Sequence, residues 1–258
     1  MNLLKCILTA NDCYKTGKKI TPKGVMVHST GANNPWLMRY VQPLKTDGDY
    51  TALTKKLGVN RNGNSWNRRG LTVCVHAFIG KLADGTIGTV QTLPWNHRGW
   101  HAGSGKKGSA NDTHIGFEIC EDGLADAAYF KKVYQEAVEL TAMLCKEYKL
   151  DPLADGVIVC HSEGYKRGIA SNHGDVMHWF PKHGKSMSTF RNDVKAQMGT
   201  AAPKAGVPYT VKATAAAVYS APAVTQISGV YTITEENNGY GKLKSGLGWI
   251  KLADVKKL

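Results

Sequence analysis

Nine histidines are spread through the 258 residues, and two of them stand in matched surroundings. His28 closes the apolar run KGVMVHST, ahead of Ser-Thr-Gly, and His161 closes GVIVCHS in the same way. Such runs read as buried strands, and strand ends in α/β folds are where side chains converge on a cleft. A lone histidine there is more often a hydrogen-bonded structural residue. Two of them with one carboxylate would make a three-ligand zinc site whose fourth position stays open for chemistry. The segment HSEGYKRGIASNHGDVMHWF offers the third ligand: a Gly-containing loop after His161 leads to His173, Asp175 and His178. Asp175 is an oxygen donor that zinc accepts, and His173 projects from the same side of an extended segment. The competing reading is a polar loop in which Asp175 caps the turn before Trp179. That reading leaves three clustered histidines without a cause.

The elements that must position these residues are of two kinds. KGVMVHST, LTVCVHAFIG, HIGFEIC and GVIVCHS are short, β-branched runs, expected as strands. YFKKVYQEAVELTAMLCKEYKL repeats Phe130, Val133, Ala137, Leu140, Leu144 and Tyr148 at helical spacing. Strands interspersed with helices imply an α/β domain, a mixed central β-sheet flanked by helices, over residues 1–197. MGTAAPKAGVP, residues 198–208, reads as a linker of small residues and prolines. Beyond it, YTVKATAAAVYSAP, SGVYTITEEN, GYGKLKSG and LGWIKLADV alternate between turn signals, so residues 209–258 are expected to form a small all-β, barrel-like domain.

Composition narrows the setting. A hydrophobic fraction of 42% and a charged fraction of 21% suit a globular chain, and no apolar run approaches the length of a membrane span. The apolar stretch of MNLLKCILTANDCYK is short and broken by Lys5, so no secretory signal is expected and synthesis would be cytoplasmic. The net charge of +13 favours polyanions such as nucleic acid, anionic membranes or teichoic acids. Only +3 of it falls in residues 209–258, so basic attraction is not delegated to the tail. No nucleic-acid module signature is present, and no nucleic-acid partner is expected. The six cysteines contain no C-x-x-C pair; Cys6 and Cys13 could bridge, but reduced thiols are the preferred reading.

VMVHSTG, NDTHIGFEICED and CHSEGYKRGIASNHGD together resemble the type 2 N-acetylmuramoyl-L-alanine amidases, whose fold peptidoglycan recognition proteins and many phage endolysins share. The resemblance runs from about Lys23 to Arg191 and lies in the combination of motifs. It implies a zinc enzyme that cuts the amide between N-acetylmuramic acid and L-alanine, acts on the Gram-positive wall after release, and works as a monomer. It implies His28, His161 and Asp175 as zinc ligands and Glu118, in Ile115-Gly116-Phe117-Glu118, as the catalytic carboxylate. Glu121 and Asp122 follow closely, so an acidic surface cluster is the alternative for Glu118.

The chain departs from the family pattern in places. His173 stands where many members have a lysine that stabilises the oxyanion, and the loop from His161 to Asp175 is longer than usual, which keeps His178 as a rival ligand. VCVHAFIG lacks the tyrosine that some relatives use, which shifts weight to Glu118. His76 and His101 are read as structural or cleft-lining, while Trp66, Asn67, Arg68, Trp95 and Trp100 are candidates for sugar or peptide contact. The tail, through VYTITEENNGYGKLKSGLGWIKL, resembles bacterial Src-homology-3-like wall-binding modules, although their R-S-G-P motif survives only as Tyr219-Ser220-Ala221-Pro222. A non-catalytic peptidoglycan receptor and a basic nucleic-acid binder are the competing functions.

Overall fold

The computed structural model describes residues 1–199, 209–220, 223–237 and 239–257. They form two compact units, Met1–Gln197 and Met198–Leu258.

The first unit contains, in chain order, β1 (Leu3–Lys5), α1 (Asp12–Lys15), β2 (Gly24–Asn33), α2 (Tyr50–Leu57), β3 (Ala77–Lys81), β4 (Ile87–Gln91), β5 (His114–Glu121), α3 (Ala127–Glu147), β6 (Ile158–Cys160), α4 (His161–Arg167) and α5 (Met187–Gly199). Its six strands lie in the order β1-β4-β3-β5-β2-β6. The β3–β4 pair is antiparallel and the other neighbours are parallel, so the sheet is mixed. Parallel strands must be covered on both faces. Accordingly β2 is buried from Gly24 to Ser29, and β5 is buried along nearly its whole length.

Each face has its own cover. One carries Val27 level with Phe117 and Ala77, and Ile119 level with Ile79 and Thr89; it packs on α3, whose Glu136 accepts a hydrogen bond from Thr89 Oγ1 at 3.0 Å. The long helix starts where Asp126 accepts from the backbone N–H groups of Ala128 and Tyr129, a side-chain cap for orphan donors. The other face carries Phe78 and Val90, packed with Leu37, Tyr40, Leu53 and Leu57. Nearer β6 it carries Met26 and Val159, which meet Ala102, Ala110 and Ala170 from loops. That face also carries the candidate site.

Two local expectations are corrected. The run LTVCVHAFIG becomes sheet only from Ala77, because Cys74 exchanges backbone hydrogen bonds with Trp100 instead of with a strand of the sheet. His161 does not lead into a loop. It opens α4, which begins with Glu163 accepting from the Cys160 N–H at 3.3 Å and ends at the left-handed Gly168. Of the linker expected at 198–208, Met198 and Gly199 close α5, and residues 200–208 lie outside the described ones. Strands β1 and β4 are additions that no sequence pattern announced.

The second unit is all β: β7 (Tyr209–Ser220), β8 (Ala223–Asn237), β9 (Tyr240–Leu243), β10 (Trp249–Lys251) and β11 (Val255–Lys257). The order is β10-β9-β8-β7-β11, and β10 also pairs with β7, so four strands close into a ring. Ala213, Ile233, Leu243 and Ile250 fill it, flanked by Tyr231 and Leu252. Ala221 and Pro222 lie outside the described residues.

Gly80 tests the packing of the central sheet. A Cβ there would sit 2.7 Å from the Pro35 carbonyl oxygen and 2.9 Å from Cys120 Sγ. Gly80→Ala is expected to cost about 1–3 kcal/mol through overpacking. It should show as a lower urea midpoint with an unchanged slope; an unmoved midpoint would mean the backbone gives way freely.

Candidate metal centre

Strand register assembles the site. Parallel pairing sets Val27 beside Cys160, the residue before His161, and sets His28 beside Glu118. Residues at one level of a parallel ladder share a face, so His28 and Glu118 stand side by side, with about 4.8 Å between their strands, and His161, the first residue of α4, follows directly on β6 next to them. Asp175 arrives from the loop after α4. It is held by Val176 and Trp179, both fully buried, with Trp179 edge-on to Phe130 at 5.2 Å.

Three donor atoms converge. His28 Nδ1 lies 3.0 Å from Asp175 Oδ2 and 3.2 Å from His161 Nδ1, and His161 Nδ1 lies 3.6 Å from Asp175 Oδ1. Tetrahedral zinc with bonds of about 2.0–2.1 Å needs donors about 3.3 Å apart, and two imidazole nitrogens with one carboxylate is a donor set it accepts. Among the described residues, His28, His161 and Asp175 are the group able to hold a metal ion. The residues fit the ion.

Neighbours orient the ligands. His28 Nε2 is 3.0 Å from His101 Nδ1, and His101 Nε2 is 3.3 Å from the His114 carbonyl oxygen. With Nδ1 of His28 facing the metal position, Nε2–H donates to His101, whose own Nε2–H donates to the carbonyl; every proton in the chain is assigned. Gly116 makes room for this: a Cβ there would meet His101 Nδ1 at 2.4 Å. The His101 and Ala102 N–H groups both donate to Asn111 Oδ1, at 2.7 and 3.0 Å. His161 Nε2 in turn lies 3.3 Å from Ser171 Oγ.

The electrostatics suit metal ligation. Burial lowers the His28 pKa, with Asp175 pulling partly the other way, and keeps its imidazole neutral. Burial, together with the charges of His28 and His76, pushes His101 down further. Burial alone would raise Asp175, but hydrogen bonds from His161 and His28 outweigh it and hold the carboxyl well below its usual range. Glu118 goes the opposite way: burial raises it, and Asp175 and Glu121 add to the shift. Its Oε2 is buried without a hydrogen-bond partner. A bound dication would draw that pKa back down.

The site opens onto a cleft of 620 Å³, lined among others by Glu118, His173, His178, Trp66 and Trp100. His173 is exposed at its wall, its Nδ1 3.1 Å from Ser171 Oγ and its ring 4.6 Å from that of His161. His178 lines the cleft too, but its Nε2 pairs with Glu121 Oε1 at 2.8 Å, away from the three donors. Glu121 is buried, so no acidic surface cluster forms around Glu118. Of the other contact candidates, Trp95 faces a separate cleft, and Asn67 is buried, accepting from the Ala10 N–H and donating to the Gln42 carbonyl. His101, read as structural or cleft-lining, lines the cleft and holds His28, and Ser171 is the participant that sequence reasoning missed. The one usable signal was Gly116, two residues before Glu118 on the same face. All six cysteines are free and buried.

Five histidines whose pKa is lowered chiefly by burial, His28, His76, His97, His101 and His114, make the metal-free chain sensitive to acid. Burial leads the lowering of His28, His97, His101 and His114 below 6.5 and of His76 to about 4. Unfolding lets each take up a proton near 6.5, so their contribution is complete above that pH and is lost as pH falls toward about 4. Glu118 and Glu136, raised by burial, oppose this but are fewer. The urea midpoint of chelator-stripped protein should fall between pH 7.5 and 5, values on the order of one unit either side of the free imidazole pKa. A flat profile would contradict the assignment of neutral imidazoles.

Comparison with known proteins agrees with the geometry. The Amidase_2 family, described as N-acetylmuramoyl-L-alanine amidase, matches residues 18–176, a stretch that contains His28, Glu118, His161, His173 and Asp175. The N-acetylmuramoyl-L-alanine amidase CwlA of a Bacillus species is 38% identical over 61 residues, 24% of each chain. CwlH of Bacillus subtilis strain 168, also an N-acetylmuramoyl-L-alanine amidase, is 44% identical over 57 residues, 22% of each chain. The matches thus span about a quarter of the length of these curated relatives. In fold, the chain is similar to the Staphylococcus aureus hydrolase AmiA in complex with its ligand, with a TM-score of 0.50 at 17% identity over 77% of this chain and 83% of that one. With the family matched over more than half of its length, the chain belongs to the Amidase_2 family of N-acetylmuramoyl-L-alanine amidases.

Proposed function

We propose that the chain is a zinc-dependent peptidoglycan hydrolase that cuts the amide between the lactyl group of N-acetylmuramic acid and L-alanine, and so lyses the bacterial wall. The observation that carries this is the cluster of His28, His161 and Asp175 with Glu118 beside His28: three metal donors and a carboxyl with one buried oxygen on one cleft. His28, His161 and Asp175 would hold zinc, which when bound polarises a carbonyl and activates water at neutral pH.

The chain's own residues supply the rest. Glu118, which lines the cleft with its Oε2 lacking a hydrogen-bond partner, takes a proton from the attacking water and delivers it to the departing amine. His173 stands at the cleft wall, where a ring N–H can donate to the developing oxyanion. His101 and Ser171 act through the ligands, fixing the rings of His28 and His161. Trp66 and Trp100 offer apolar surface to substrate at the cleft edge. The C-terminal unit, a ring of four strands with a fifth paired to β7, fits a Src-homology-3-like module that tethers the enzyme to the wall.

His28→Ala, His161→Ala and Asp175→Ala should each lose tightly held zinc together with wall hydrolysis, while His178→Ala keeps both. Zinc retained by Asp175→Ala and lost by His178→Ala would transfer the third position to His178.

Glu118→Gln should keep zinc and fold but lose about 10²–10⁴-fold in turnover, the usual size of a general-base contribution. The unmutated chain should release new amino groups from walls without new reducing sugar ends. Reducing ends without amines would mean a glycosidase, and near-normal turnover by the variant would place the base elsewhere.

A further inference from the structure

A second cleft, of 690 Å³, lies at the C-terminal end of α4. It is lined by Lys106, Lys107, Tyr165, Lys166 and Arg167, and Ser171 forms part of the wall of both this cleft and the catalytic one. Its lysines stand on a fixed frame. The Lys107 N–H donates to the Gly168 carbonyl at 2.8 Å, the Ala110 N–H to the Ile169 carbonyl at 2.7 Å, and the Gly105 N–H to the Gly108 carbonyl at 2.8 Å. Gly105 is what lets the loop come so close, since a Cβ there would sit 2.3 Å from the Gly168 oxygen.

The charge in this cleft is one-sided. Arg167 is the member able to grip a carboxylate in two-pronged fashion, and Asp155 already occupies both of its outer nitrogens. The nearby acids are likewise engaged, Glu163 with Arg191 and Asp112 with Arg98. No carboxylate pairs with Lys106, Lys107 or Lys166 among the described residues. Three free ammonium groups are compact point charges, suited to successive phosphates rather than to one planar carboxylate. Tyr165, 49% exposed, adds an aromatic face beside them.

We infer that this cleft is a second binding site, for a phosphodiester polyanion carried by the bacterial wall, adjoining the catalytic cleft at Ser171. The inference rests on the amidase reading only for where the polymer is met. Occupying it would hold the catalytic cleft against wall that bears the polymer, without any contact to the scissile amide.

The test uses the full zinc-loaded chain and its K106Q/K107Q/K166Q variant, with Gram-positive walls either intact or stripped of phosphodiester polymer by hydrofluoric acid. On intact walls the variant should bind about tenfold more weakly at low salt and with a shallower salt dependence, as lost phosphate contacts require. On stripped walls the two proteins should bind alike, and amine release from a small soluble muropeptide should be equal. K106R/K107R/K166R should bind intact walls as the unmutated chain does. Equal binding of both proteins to intact walls overturns the proposal. So does an equal loss on stripped walls, which would assign the lysines to glycan or peptide. Duplex DNA that displaces the chain from intact walls at equal phosphate concentration would also overturn it, reducing the cleft to a general polyanion surface. Failure of the unmutated chain to release amines would sink the amidase reading and leave the wall-binding comparison to decide this one.

Discussion

The parallel pairing of β2 with β5 on one side and β6 on the other is the constraint on which the rest depends. Side chains along a strand alternate between faces, so a slip of one residue would turn His28 toward α3 and bring Val27 into the cleft. The apolar residues on the α3 face resist that slip, since Val25 and Val27 would leave this face and His28 would be driven into it. Packing on one side of the sheet therefore sets the geometry of the donors on the other. The hydrophobic core and the metal centre are two readings of the same register.

Burial does a second job. It removes water from His28, His76 and His101 and so disfavours their charged forms, leaving neutral rings whose protons can be placed one by one. Asp175 is held below the usual carboxylate range there, by the two histidine rings against its oxygens. Glu118, one strand away, has no such support and is pushed the other way. Two carboxyls on one cleft thus differ because one stands against two imidazoles and the other has an oxygen with no partner.

Much of this was legible in the sequence. The β-branched runs that hold His28, Glu118 and Cys160 marked β2, β5 and β6, because strands covered on both faces leave continuous apolar text. The 3.6-residue repeat marked α3. His28 and His161 were visible because a histidine at the end of such a run breaks its pattern. What stayed hidden depends on distant partners. Strand β1 is three residues long and exists through its pairing with β4, and Cys74 leaves the sheet because Trp100 takes its backbone groups. His101 sits in a loop whose text, GWHAG, says nothing of the glycine on β5 over which its ring lies. Within the polar crowd of His173, Asp175 and His178, the pairing of His178 with Glu121 rests on a partner 57 residues away that no local pattern announces.

The buried cysteines carry a consequence for the protein's chemistry in oxidising surroundings. Desolvation pushes the thiols of Cys6 and Cys145 up to about 12 and those of Cys74 and Cys120 well above the ordinary value. The thiolate is the species that attacks a disulfide or meets a peroxide, and here it is both scarce and shielded. The folded chain is thereby inert to thiol exchange while carrying six oxidisable side chains. The unfolded chain has no such protection. Order of events then governs yield: a molecule that packs its sheet before meeting an oxidant keeps its thiols shielded, and one that meets the oxidant first can be trapped in wrong bridges.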